Sequence, residues 1–238
     1  TFTVVQPSNV GDVTLNGTQT LTNKTLTDAV AITNSVTGQI IPGKTEGTNF
    51  TGSLLVGHAT TGTLNAASNN TGVGIAALDA LTSGDSNTAI GYQSGTKITT
   101  GGNNTAIGET SLFLNTSGSS NTAMGHQSLY ALASGSNNTA VGRVALSSTT
   151  GDNNVGIGKS AGSNITSGDG NVIIGVNTNA DSATGDRQLK ISGNDGSTAT
   201  TWISGDSSGN VTVAGTLTTS SGLVAAQADV TALAIALG

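Results

Sequence analysis

Asn87-Thr88-Ala89-Ile90-Gly91 is followed seventeen residues later by Asn104-Thr105-Ala106-Ile107-Gly108. Asn121-Thr-Ala-Met-Gly125 and Asn138-Thr-Ala-Val-Gly142 continue the series at the same step. Degenerate copies stand at Asn70-Thr-Gly-Val-Gly74, Asn154-Val-Gly-Ile-Gly158 and Asn171-Val-Ile-Ile-Gly175. The leading asparagines are spaced 17, 17, 17, 17, 16 and 17, and Ser53-Leu-Leu-Val-Gly57 keeps the register one step earlier without the Asn. Self-similarity at a fixed short period is the signature of a solenoid, in which each unit buries its apolar side only against its neighbours.

Each unit has the same internal order. A short segment such as Thr88-Ala89-Ile90 closes on Gly91; a second apolar segment follows, as in Leu112-Phe113-Leu114 or Leu129-Tyr130-Ala131-Leu132. A polar turn then returns the chain, as in Ser83-Gly84-Asp85 or Ser117-Gly118-Ser119. Seventeen residues are too few for two helices but suffice for two or three short strands joined by Gly and Asn turns, because those residues tolerate positive φ. Stacked coils repeat every ~4.8 Å, so eight of them span about 38 Å. Stacking predicts a dry column of Ile90, Ile107, Met124, Val141, Ile157 and Ile174, and an amide ladder of Asn87, Asn104, Asn121 and Asn138 at the turn.

Composition agrees with a narrow core. Of 238 residues, 8% are charged and 3% aromatic, with 35 Gly and 2 Pro. A disordered chain is polar too, but it is usually rich in charge and proline and needs no fixed apolar beat. The net charge of −6 with seven scattered basic residues argues against nucleic acid, which is held by clustered Lys and Arg. Cysteine is absent, which excludes disulfides, thiolate metal sites and a thiol nucleophile. The start, Thr1 to Asp12, lacks the basic and apolar pattern of a signal peptide, and no apolar run is long enough to span a membrane.

The Asn-Thr-Ala-Ile-Gly units resemble the head repeats of trimeric autotransporter adhesins, which carry a similar Asn-Ser-x-Ala-Ile-Gly phrase. The resemblance covers about residues 53–176 and implies a left-handed β-roll with three chains side by side. The period of 17 is longer than in those heads, so handedness and trimer packing rest on analogy. Gly91-Tyr92-Gln93 and Gly125-His126-Gln127 are similar to repeats of phage tail-fibre and related virion proteins. Leu21-Thr-Asn-Lys-Thr-Leu-Thr27 looks like a phrase found near the N-termini of such fibres; read without the resemblance, it is a Thr-rich linker.

The flanks follow other rhythms. Residues 1–50 read as an extended N-terminal attachment segment and 51–176 as the solenoid. Residues 177–220 read as a small β region, with strands at Gln188–Ser192, Thr201–Ser204 and Asn210–Ala214 between Gly turns. Trp202, the single tryptophan, is more often a core or interface anchor than a sugar platform. Over 221–238 the spacing of Leu223, Ala226, Val230, Leu233 and Leu237 makes a two-heptad a/d seam, which predicts a short helix capped by Ser221. That helix serves either as a coiled-coil clamp registering three chains or as an amphipathic helix packed on its own domain.

Little in the chain suggests chemistry. Asp85, Asp152 and Asp169 fall in turns; Asp152 and Asp169 are one coil apart, within reach of the carboxylate spacing of glycosidases, but solvated turn residues are the simpler account. His58 and His126 lie four coils apart and have no partner at metal-ligand spacing. Gly72-Val-Gly74 and Gly156-Ile-Gly158 are repeat variants rather than dinucleotide loops. The side chains after each closing Gly, Tyr92, Glu109, His126, Arg143 and Lys159, vary while the frame stays constant. They are the candidates for receptor contact, and ordinary surface positions otherwise.

The expectation is therefore an all-β protein: a β-solenoid of about eight 17-residue coils, a small C-terminal β region and a short terminal helix. Its expected role is that of a non-catalytic virion fibre protein, a phage tail fibre or fibre adaptor, homotrimeric and without cofactor. It would be assembled in the host cytoplasm and exposed on the tail or appendage. Its partners would be copies of itself, other tail proteins and a host receptor or glycan, with no nucleic acid and no membrane insertion. The alternatives are a bacterial adhesin head and an ice-binding solenoid, the latter suggested by the Thr column Thr71, Thr88, Thr105, Thr122 and Thr139.

Overall fold

A computed structural model describes residues 54–56 and 66–215, together with the backbone of four short strands at Gly43–Lys44, Phe50–Thr51, Leu217–Thr219 and Gly222–Val224. In chain order the strands are β1 (Gly43–Lys44), β2 (Phe50–Thr51), β3 (Leu54–Val56), β4 (Ala67–Ser68), β5 (Thr71–Val73), β6 (Thr88–Ile90), β7 (Thr105–Ile107) and β8 (Thr122–Met124). They continue with β9 (Thr139–Val141), β10 (Val155–Ile157), β11 (Val172–Ile174), β12 (Leu189–Asn194), β13 (Ala199–Gly205), β14 (Val211–Val213), β15 (Leu217–Thr219) and β16 (Gly222–Val224).

Strands β3 and β5 to β11 are the eight expected coils. They pair in parallel with no slip: Thr88 lies against Thr105, Ala89 against Ala106 and Ile90 against Ile107, and so on along the stack. The only shorter step falls in the turn, where a single residue, Thr150, separates Thr149 from Gly151. The strands on either side keep their pairing through it. A turn can lose a residue because no side chain of the ladder is displaced.

From β5 to β11 each coil contains one regular strand rather than two or three. The second apolar segment runs through tight turns, bonded coil to coil by backbone pairs such as Leu112 N to Ser128 O (3.0 Å) and Ala131 N to Ser147 O (3.0 Å). The cause is local. Gln127 (φ +56°) and Leu129 (φ +49°) are both left-handed, and so are their counterparts in neighbouring coils. Two such residues so close together leave no run of extended backbone.

The interior is a column of small residues. Ala89, Ala106, Ala123 and Ala140 point inward and are buried, with Gly72 and Gly156 in the same column. Where Gly replaces Ala, a leucine takes the room: a Cβ on Gly72 would lie 2.4 Å from Leu55 Cδ2, and one on Gly156 2.6 Å from Leu146 Cγ. Leu55 and Ile173, the largest members, plug the two ends of the column.

The expected dry column is overturned. In a three-residue strand the centre and the flanks face opposite ways, and the Ala centre faces in. Ile90, Met124 and Ile157 are each 41% exposed, and Ile107, Val141 and Ile174 are half-buried. Between the ends of the stack the centre of the coil has room for a methyl group, and the sec-butyl group fits only at the last coil, where Ile173 follows Gly156.

Glycine is required where the strand ends. Gly91 has φ +136°, and a Cβ there would lie 2.7 Å from the carbonyl oxygen of Gly108 in the next coil. Gly74, Gly108, Gly125, Gly142, Gly158 and Gly175 repeat this geometry. Stacking itself, not the turn alone, forbids a side chain at this position.

Both ends of the stack change direction. β1 pairs antiparallel with β3, Gly43 against Val56. At the other end β12 first continues the parallel register, Val172 with Leu189 and Ile173 with Lys190, then turns into an antiparallel meander with β13 and β14. Lys190 occupies the inward position above Ile173, and its ammonium leaves the column to pair with Asp181. Antiparallel cover and a charged residue at the edge discourage further strand addition. Trp202 is not a core residue: it is 53% exposed, and its indole covers Gly193, where a Cβ would lie 2.4 Å from Cζ2.

The expected helix over 221–238 is contradicted at its start. Gly222–Val224 pairs antiparallel with Leu217–Thr219, Leu223 opposite Thr218, around the two-residue link Ser220-Ser221. Gly disfavours the start of a helix and Val favours a strand. Ala226, Val230, Leu233 and Leu237 lie outside the described residues, as do residues 1–42 of the proposed attachment segment and His58.

Candidate functional site

The buried asparagines form the expected ladder, and it runs further than the repeat itself. Asn87 Nδ2 donates to Asn70 Oδ1 (3.0 Å) and to the carbonyl of Gly101 (2.9 Å), while Asn87 N–H donates to the same Asn70 oxygen (2.9 Å). The arrangement recurs at Asn104, Asn121, Asn138 and Asn154. Asn171 continues it onto Asn154 (3.0 Å), and Gln188 closes it on Asn171 (3.1 Å). Each Oδ1 accepts two bonds, and the Nδ2 groups from Asn87 to Asn154 each reach a turn carbonyl of the next coil, so these side chains are buried without a stranded polar atom. Gln188 was hidden from the repeat pattern because one more methylene changes the letter but not the amide.

The turn acids belong to the same scaffold. Asp85 Oδ1 accepts from Ser68 N–H (2.7 Å) and Ser68 Oγ–H (2.8 Å). Asp152 accepts from Ser136 N–H (2.6 Å), Asp169 from Asp152 N–H (2.7 Å) and Asp186 from Asp169 N–H (2.9 Å). Ser119 and Ser136 serve the same position with their hydroxyls, at 3.1 and 3.0 Å. One oxygen of each acid is thus engaged in holding the coil before it. Among the described residues no group of three or more His, Asp or Glu is placed to hold a metal ion.

The five candidate contact residues do come together. Backbone bonds Thr110 N to Tyr92 O, Gln127 N to Glu109 O, Val144 N to His126 O and Ser160 N to Arg143 O place Tyr92, Glu109, His126, Arg143 and Lys159 in one row along an edge. Tyr92, Glu109, Arg143 and Lys159 are exposed; His126 is half-buried, and its Nδ1 has no hydrogen-bond partner. Ile75 and Val176 extend the row at its two ends. It presents one carboxylate and two cations along a line.

A different surface is more uniform. The outward side chains of the sheet are Thr71, Thr88, Thr105, Thr122, Thr139, Val155 and Val172 in one rank, and Val73, Ile90, Ile107, Met124, Val141, Ile157 and Ile174 in the other. No charged residue stands in either rank. The strands of this face pair in register without a bulge. From β5 to β11 it is about 29 Å long at ~4.8 Å per strand step. Placing the Ile column inside left this face unforeseen; the signal was the Ala at the centre of β6 to β9 and the Gly at the centre of β5 and β10.

No family model, curated protein or solved structure matches the chain.

Proposed function

We propose that this chain is a structural, non-catalytic segment of a virion attachment fibre, a phage tail fibre or fibre adaptor, and that it works as a homotrimer. The observation that carries the reading is the uncharged outward face of Thr and Ile/Val/Met ranks. A continuous apolar strip of this length, free of charge, is more than an isolated monomer usually leaves in water. The occupant that suits it best is the same face of two further copies: all seven side chains of the apolar rank are aliphatic or thioether, so the surface is complementary to itself. Stacked coils with a fully bonded amide ladder supply the stiffness that a fibre needs. The likeness of the Gly-Tyr-Gln units and of Leu21–Thr27 to tail-fibre phrases supports a place on a virion. Host contact would then fall to the row from Tyr92 to Lys159 or to other outward surfaces.

The native mass in solution tests this. A particle of three times 23.1 kDa that falls to monomers in Ile107→Glu, with its β-sheet circular dichroism retained, is the expected result. A wild-type monomer would overturn the trimer, and with it the fibre reading.

The Thr rank supports a second reading, an ice-binding face, because Thr71 to Thr139 stack on one sheet face in unbroken register. Thermal hysteresis in a freezing assay would favour it over the fibre.

A further inference from the structure

We infer that the cavity above Tyr130 is a binding subsite for one pyranose ring of a neutral glycan. The cavity, about 320 Å³, is lined by Gln127, Tyr130, Ala131, Val144, Ser147 and Ser148. No residue of the outward Thr and Ile/Val/Met ranks lines it, so it stands apart from the proposed assembly surface.

The site exists because an aromatic column stops. Leu114 N bonds to Tyr130 O and Ala131 N to Ser147 O, which puts Phe113, Tyr130 and Ser147 at equivalent positions of three successive coils. Phe113 and Tyr130 stack with centroids 5.2 Å apart and planes 2° from parallel. The next coil offers the small side chain of Ser147 where a third ring would continue the stack. One face of Tyr130 is covered by Phe113, and the other is the floor of the cavity.

What lies around that floor selects the ligand. The six lining residues carry no charge, so an anionic group gains no charged partner there. Gln127 presents an amide with donors and an acceptor, and Ser147 and Ser148 present hydroxyls that do both. A negative aromatic face, neutral hydroxyls and one amide suit a ring whose C–H groups lie on one side and whose hydroxyls point outward around its rim. The volume is at the lower end of ligand pockets, roughly 300–1,000 Å³, which fits one sugar ring rather than a long oligosaccharide. Contact with a single ring over one aromatic face implies affinity on the order of millimolar, as suits an attachment protein that gains strength from many copies.

Saturation-transfer NMR on the full chain tests this, with methyl glucoside, methyl galactoside, methyl mannoside and N-acetylglucosamine as probes. At least one sugar should receive saturation through its ring C–H protons. Tyr130→Thr, which places at 130 the residue found at the same column position as Thr96, should weaken binding roughly tenfold or more. Ser147→Tyr should extend the stack into the cavity and abolish binding while the melting curve stays cooperative. Transfer to none of the four sugars would overturn the inference. So would transfer that persists in both variants, or transfer only to an N-acetyl-tyrosine amide control.

Discussion

Gly95 makes room for Ile98: a Cβ added to Gly95 would lie 2.9 Å from Ile98 Cδ1 and 3.2 Å from Leu78 Cδ2. The corresponding pair three residues apart is Leu112 and Asn115 in the next coil, Leu129 and Leu132 in the one after, then Leu146 and Thr149, and finally Gly162 and Ile165. All ten are buried. The first member of each pair sits at left-handed φ, from +47° at Leu146 to +62° at Gly162. Leucine there pays a backbone penalty of about 1–2 kcal/mol, which burial of its side chain, worth about 1.5–3 kcal/mol, offsets.

This pairing predicts coupling. Gly95→Leu should destabilise the protein by about 1–3 kcal/mol, as overpacking does, even though it restores the commoner letter of the repeat. Adding Ile98→Thr, the combination present as Leu146 and Thr149, should recover a large part of that loss. A double-mutant cycle from chemical denaturation reads the coupling; strictly additive effects would show that the two side chains do not share one space.

The amide ladder predicts a penalty that side-chain size alone does not. Asn104→Ala removes the acceptor of Asn121 N–H and of Asn121 Nδ2, and the donor to Gly118 O. Stranded buried polar groups cost about 1–3 kcal/mol each, so a loss of roughly 2–4 kcal/mol is expected. Amide exchange by NMR should show the Asn121 N–H losing protection well before that of Thr88. Uniform loss across the stack would argue that the ladder has no local hold on its coil.

Two classes of positive-φ glycine should separate by clash. A Cβ on Gly125 meets the Gly142 carbonyl oxygen at 2.5 Å, whereas Gly209, at φ +87°, has nothing within 4 Å. Gly125→Ala should therefore cost more than ~4 kcal/mol or prevent folding. Gly209→Ala should cost about 1–2 kcal/mol, the backbone term alone. Thermal melting of the two variants decides; equal shifts would mean that the contact between coils is easily relieved.

Acid should loosen the C-terminal meander before the solenoid. Backbone N–H groups of Thr198 and Ser197 hold the Asp195 carboxyl below its usual range. The Asn210 side chain and N–H do the same at Asp206. A carboxyl whose folded pKa is depressed stabilises the fold above its unfolded value, about 3.9, and that contribution fades as pH falls through the depressed folded value. Both groups are on the surface, so the effect is a local opening of the 195–198 and 206–210 turns. Amide exchange below pH 4, compared with neutral pH, should show it there and not at Thr105 or Thr122. Equal acid sensitivity at Thr105 would refute the assignment.

The stack, its register and its ladder were legible because the same letters recur at the same step. Which way a strand faces was not. Three residues give only one alternation, and the choice between Ala inside and Ile inside depends on the width of the coil, which no single unit states. The left-handed leucines were equally hidden, since Leu112 or Leu129 carries no turn signal and is held in place by burial. The cavity over Tyr130 is defined by what Ser147 lacks, and a missing ring is visible only when two coils are laid one upon the other. The contact row was read from variation at a constant frame, and Tyr92 to Lys159 do line up, because residues at one phase of a repeat necessarily share an edge.

Because Ala89 meets Ala106 as Ala106 meets Ala123, the junction between any two central coils is interchangeable with the next. Unequal recombination between such similar stretches of coding sequence would add or delete a whole unit without creating a new kind of joint. The reach of the molecule is then a matter of copy number, adjustable in steps of ~4.8 Å, and it can drift between generations while Leu55 and Ile173 keep closing the two ends.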